Sequence, residues 1–206
     1  MALFSSRTKN YQSSNQLRTL VEAKEWKKVR KYVAGSKCIK ESSSSVSPLL
    51  LISKSNPPCK IIEIFIKKHP KAIYDVNCDG KSALHLACEY GASPAVTRKI
   101  LFANTDAASR KDKNGMLPLH LACRSYCTNN DSWISKEAVR ESLMQILVDL
   151  LQVEPTSIFT EDLKGMCPME HALVSDLNLD VIQILRNKQI SESNIEKQEL
   201  NQLISN

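Results

Sequence analysis

The sequence predicts an all-α solenoid of stacked helix-turn-helix hairpins, about five units long counting caps. Three observations lead there. The segments Pro48-Leu49-Leu50-Leu51-Ile52, Ala83-Leu84-His85-Leu86-Ala87 and Pro118-Leu119-His120-Leu121-Ala122 recur at a constant spacing of 35 residues, and Pro168-Met169-Glu170-His171-Ala172 follows after 50. Each copy precedes a second apolar segment spaced like one helical face. Finally, only 5 glycines and 5% aromatic residues are present, which disfavours a sandwich or barrel built on turn glycines and aromatic strands. A hairpin of two short helices cannot bury its apolar face alone, and stacking hairpins side by side supplies that burial.

Taken in order, residues 1–14 form a flexible arm in which Arg7 and Lys9 stand among serines without an acid. A disordered polar arm and an organelle-targeting peptide both fit it, and no secretory signal is visible. The repeat domain is expected over 15–188. Leu17, Leu20, Val29 and Val33 make a capping unit at about 15–42. The next units, about 43–77 and 78–111, carry Ile61, Ile62, Phe65 and Ile66, then Val96, Ile100 and Leu101. Pro70 and Pro155 end second helices.

The unit at about 112–159 admits 15 extra residues between Cys123 and Ile146. Ser135 can cap a lengthened second helix carrying Ala138, Val139, Leu143, Ile146, Leu147 and Leu150 on one face. Tyr126 to Trp133 would form a polar loop. A last unit at about 160–188 has Val181, Ile182, Ile184 and Leu185. Beyond it lies a polar helical tail, 189–206, where Ser193 and Glu196 can make a capping box.

Gly80-Lys81-Ser82-Ala83-Leu84-His85-Leu86-Ala87 and Gly115-Met116-Leu117-Pro118-Leu119-His120-Leu121-Ala122 resemble the G-x-T-P-L-H-x-A block of the ankyrin-repeat family. Asn77, Asp112 and Asp162 stand three residues before Gly80, Gly115 and Gly165, where that family prefers Asp. The outer copies depart from the pattern: Ser45 and Leu50 replace glycine and histidine in one, and Glu170 replaces histidine in the other. The resemblance implies helix hairpins with short turn or β-hairpin tips. It implies that His85 and His120 hydrogen-bond backbone and brace adjacent hairpins. On physical grounds Gly80, Gly115 and Gly165 suit turns needing positive φ, and Pro48, Pro118 and Pro168 suit a first helical turn.

His85-x-x-Cys88 and His120-x-x-Cys123-x-x-x-Cys127 superficially offer zinc ligands. The repeat accounts for them, since each pair recurs once per unit and does not converge on one centre. No metal, cofactor or catalytic residue is expected, and no phosphate-binding, hydrolase or zinc-protease motif is present. Cys127, in the inserted segment, is the one candidate for a reactive thiol. Seven cysteines, an odd number without repeated CxxC spacing, read as reduced thiols, and a cytoplasmic or nuclear location is expected.

What remains is a surface for binding another protein. The resemblance implies a concave face lined by turn tips and first helices, which nominates Lys81, Glu89, Tyr90, Lys113, Met116, Arg124, Lys164 and Met166. The inserted segment adds Tyr126 and Trp133. Tyr90 and Arg124 lead because Tyr and Arg dominate interface energetics. The chain is expected to be monomeric by itself. Residues 1–75 carry 15 Lys and Arg against 5 Asp and Glu, whereas the remainder carries 13 against 17. This charge asymmetry can steer an acidic partner. The alternative it raises is nucleic-acid association through Lys24, Lys27, Lys28, Arg30, Lys31, Lys37 and Lys40.

Overall fold

The computed structural model describes residues 16–35, 47–125, 136–175, 182–188 and 191. Residues 1–14, Lys37, Lys40, Ser45, the segment from Tyr126 to Ser135, Val181 and the residues after Ser191 lie outside the described residues. Helices α1 (residues 16–22), α2 (Trp26–Gly35), α3 (Pro48–Ser53), α4 (Cys59–Lys68), α5 (Ala83–Glu89), α6 (Pro94–Ala103), α7 (Pro118–Ser125), α8 (Lys136–Val153), α9 (Pro168–Val174) and α10 (residues 182–188) follow one another along the chain. The fold is an all-α solenoid, as the periodicity predicts. Among the described residues the only β feature is a bridge between Val76 and Ser82 at one tip.

Two layers run through the stack. The first helices pack in the order α3, α5, α7, α9, and the second helices in the order α2, α4, α6, α8. One continuous core lies between them, from Leu17, Val29 and Val33 through Ile62, Phe65, Leu84 and Ile100 to Leu119, Ile146, Leu147 and Leu185. Ala87 and Ala122 are buried where α5 meets α7, and their single methyl groups allow that approach. In the lengthened α8, Leu143, Ile146, Leu147, Leu150 and Leu151 are buried. Ala138, expected on the same stripe, is exposed, one turn before the buried stretch begins. Arg98 on α6 makes a bidentate pair with Asp149 on α8, both bonds 2.9 Å long, tying the two outer helices together.

The prolines fall where a helix lacks an N–H partner: Pro48 and Pro168 lie in the first turn of α3 and α9, and Pro118 begins α7. Pro70 and Pro155 do end α4 and α8, and each then starts a short 3-10 turn, Pro70–Tyr74 and Pro155–Phe159. A third such turn, Thr105–Ala108, follows α6 without a proline.

A left-handed stop closes the first helix of successive hairpins. Lys24, Asn56 and Gly91 occupy one repeat position and share positive φ, at 52°, 46° and 63°. After α5 the N–H of Ala92 returns to the carbonyl of Ala87 at 2.9 Å. After α1 the N–H of Glu25 returns to Leu20 at 2.9 Å. Both bonds are the long-range closure of a Schellman motif, whose αL residue is ordinarily Gly. Lys24 holds that conformation with a Cβ. Lys24→Gly should therefore raise stability by about 0.5–1 kcal/mol, the relief of αL strain less the greater chain entropy of glycine. A urea midpoint unchanged or lowered would show that Lys24 is unstrained.

Candidate functional site

At the tips, a carboxylate or amide folds the turn. Asn77 Oδ1 accepts from the N–H groups of Asp79 and Lys81 at 2.9 and 2.8 Å. Asp112 Oδ1 does the same with Asn114 and Met116 at 2.8 and 2.9 Å, and Asp162 Oδ1 with Lys164 and Met166 at 2.7 and 3.0 Å. Gly80, Gly115 and Gly165 complete these turns at φ of 77°, 76° and 72°. Neighbouring tips are joined backbone to backbone, Lys113 N–H to Asp79 O at 2.9 Å and Leu163 N–H to Asn114 O at 3.0 Å. Rigid turns thus hold the outermost residues at fixed spacing.

The histidines link each hairpin to the next. His85 Nδ1 accepts from the Ser82 N–H at 3.2 Å, and its Nε2 donates to the Met116 carbonyl one repeat on, also at 3.2 Å. His120 repeats the arrangement with Leu117 N–H at 3.1 Å and Met166 O at 3.2 Å. Burial pushes the His85 pKa down to about 4, against the Met116 hydrogen bond and the Asp112 charge, which favour the cation. Burial, with the neighbouring His171, also lowers that of His120. In the last copy Glu170 Oε2 accepts the Cys167 N–H at 2.7 Å. The cap at this helix start survives the replacement of histidine. His171 turns instead to Asp162 Oδ2 at 2.9 Å. Burial raises the Asp162 pKa, but the hydrogen bonds from Met166, His171 and Lys164 outweigh it and hold the carboxyl below its ordinary value.

Leu121 holds the repeat position of His171, and the corresponding Asp112 Oδ2 is buried without a partner. Cys88 and Cys123 are fully buried; burial pushes the Cys88 thiol up to about 12 and that of Cys123 up as well. Both therefore stay protonated. Among the described residues, no group of three or more His, Cys, Asp or Glu side chains forms a metal site. Cys127 lies outside the described residues.

Four of the nominated surface residues form a network between hairpins. Lys81 Nζ reaches Glu89 Oε1 at 2.6 Å, and Arg124 Nη2 reaches the same oxygen at 3.2 Å from the following hairpin. Arg124 Nη1 lies 3.2 Å from Met116 Sδ. Arg124 keeps 41% of its side chain in solvent, against 12% for Lys81. Tyr90 is 46% exposed, with Lys54 Nζ 5.1 Å from its ring centroid. Lys113 and Lys164 are exposed, and Met166 is half-buried.

Met116 is a correction. Only 3% exposed, it lies among the buried residues of the stack with Arg124 against its sulfur, so its side chain offers no surface to a partner. Tyr126 and Trp133 fall outside the described residues. Two contributors were missed. Lys54 shares the repeat position of Glu89 and Arg124, a signal present in the 35-residue spacing. Leu163, at the tip position of Lys113, is 77% exposed.

The family model for ankyrin repeats, described as three copies, matches residues 49–138. No curated protein gives a match to the chain. The matched stretch contains the caps, tips and bracing histidine geometry of α3 to α7, and the hairpins within it are ankyrin repeats.

Proposed function

We propose that this chain binds a partner protein through the face made by its tips and first helices, with Tyr90 and Arg124 as the leading contacts. Ankyrin repeats generally mediate protein–protein interactions and are typically non-enzymatic. The observation that supports this face is the clamp of Glu89 between Lys81 and Arg124. It spans two hairpins and fixes the Arg124 guanidinium while leaving it accessible. A side chain ordered before binding loses little entropy on contact. Lys54 steadies the Tyr90 ring in the same way.

The test compares quantitative capture of partners by the wild-type chain, Tyr90→Ala and Arg124→Ala, with circular dichroism as a check on folding. A partner held by the wild type should be weakened about tenfold by either change. Lys67→Ala, on the other helix layer, should leave it unaffected. Equal capture by all four folded proteins would remove this face from the binding site.

A further inference from the structure

The outer, second-helix layer carries a different surface. Lys28 and Lys31 on α2, Lys60 and Lys67 on α4 and Lys99 on α6 are all exposed. α2, α4 and α6 are consecutive neighbours in that layer. Lys68 reaches from the end of α4 to the Ala34 carbonyl near the end of α2, so the two helices lie side by side with their ends in register. Lys28 and Lys60 share one repeat position, and Lys67 and Phe102 another; positions common to successive hairpins face the same way. On α6, Phe102 is 61% exposed, one turn beyond Lys99.

Few carboxylates oppose these lysines. Glu25 pairs with Lys28, Glu63 with Lys67 at 3.3 Å, and buried Asp149 is taken by Arg98. At Glu63 the Lys67 hydrogen bond and charge, with the charges of Lys99 and Lys60 behind it, hold the carboxyl below its ordinary value. On α8 the exposed side chains among the described residues are instead Glu137, Ala138, Glu141, Gln145, Val148 and Gln152. Among the described side chains of this layer's four helices, exposed lysine is thus found on α2, α4 and α6 and not on α8.

We propose that this basic face docks the protein on an anionic lipid surface, with Phe102 entering the headgroup region. Three parallel helices, each ten residues long and packed at 8–10 Å, present a face roughly 20 Å by 15 Å. A DNA major groove about 12 Å wide admits one helix and excludes three abreast. Lysine is a hydrated point charge suited to a diffuse negative surface. Each one near an anionic leaflet adds modest attraction, and several together hold a protein there. An exposed phenylalanine protruding beside lysines suits a soft surface, as in interfacial helices. Among the described residues no helix is long and apolar enough to cross a membrane, so the contact is peripheral. It is independent of the tip and first-helix face, which stays open to a protein.

Co-sedimentation of the full chain with vesicles tests this. Binding should appear with phosphatidylcholine vesicles containing about one quarter phosphatidylserine, be absent with phosphatidylcholine alone, and fall steeply with salt. Lys60→Glu, Lys67→Glu and Lys99→Glu combined should weaken it at least tenfold, roughly the effect of reversing three surface charges. Phe102→Ser should weaken it at low salt and leave a larger part of the remaining binding salt-sensitive. All these positions are exposed, and circular dichroism verifies the fold. Failure to bind the anionic vesicles, equal binding to both vesicle types, or a triple variant that binds as well as the wild type would overturn the proposal. So would retention of a DNA duplex or a polyglutamate peptide on this face without vesicle binding.

Discussion

Gly115→Ala should destabilise the protein by about 3 kcal/mol, the largest loss expected from any single glycine in the repeats. Two effects add. Gly115 sits at φ 76°, where a Cβ costs about 1–2 kcal/mol. A Cβ there would also lie 2.8 Å from the backbone nitrogen of Leu163 and 3.2 Å from Asp162 carbonyl carbon. Those are backbone atoms of the next tip and cannot rotate away. Making room means opening the Leu163 N–H to Asn114 O bond, a loss of about 1 kcal/mol. Gly165 supplies the control. Its φ is 72°, yet the nearest atom to a Cβ is Glu161 Oε2 at 4.0 Å, so Gly165→Ala should lose only about 1 kcal/mol. Gly80, whose Cβ would meet Lys113 nitrogen at 3.3 Å, should fall between them. Urea midpoints of the three variants give the order directly. Equal losses at 115 and 165 would mean that the tips are not in fixed contact.

That difference between glycines marks what the sequence could and could not convey. The turn, the Asp or Asn three residues ahead and the need for positive φ are local, and they were legible at all three tips. The distance to the next tip depends on stacking and has no local signature. The same holds for Met116: its repeat position carries Lys81 in the preceding unit, which reads as surface. The side chain is covered only once the neighbouring repeats are in place. His85 and His120 were legible in role because their partners are backbone carbonyls, present whatever the side-chain identity. Their acceptors, Met116 and Met166, follow from the repeat period.

The charge clamp was partly legible. Lys54, Glu89 and Arg124 share one repeat position, so alternating charges at 35-residue intervals announce contacts across hairpins, but only for a reader who compares equivalent positions. The left-handed stops at Lys24, Asn56 and Gly91 were hidden for a different reason. Gly91 and Asn56 are ordinary αL residues, whereas Lys24 carries no sequence signal for that conformation.

Acidification from pH 7 to pH 4 should remove about 3 kcal/mol of stability through His85 alone. In the folded protein the ring is buried and its pKa lies near 4, well below the ordinary value of 6.5. Between those two values the unfolded chain binds a proton that the folded one refuses. Stability is therefore fully present above about pH 6.5, declines as pH falls through that window, and levels off for this group below about pH 4. The geometry gives the reason. Nδ1 accepts the Ser82 N–H, with the Ser82 hydroxyl 2.8 Å away, while Nε2 donates to Met116 O. A proton on Nδ1 would face the Ser82 N–H donor in a buried site. His120, also lowered, adds to the loss in the same direction. Asp162, held below its ordinary 3.8, adds a separate loss only at still lower pH. Urea midpoints measured at pH 7, 5.5 and 4.5 should fall in sequence. His85→Gln, less stable at pH 7 because the brace to the next hairpin is impaired, should show a shallower fall across the same window. A wild-type midpoint independent of pH there, or a variant whose midpoint falls as steeply, would mean that His85 is not held neutral between the hairpins.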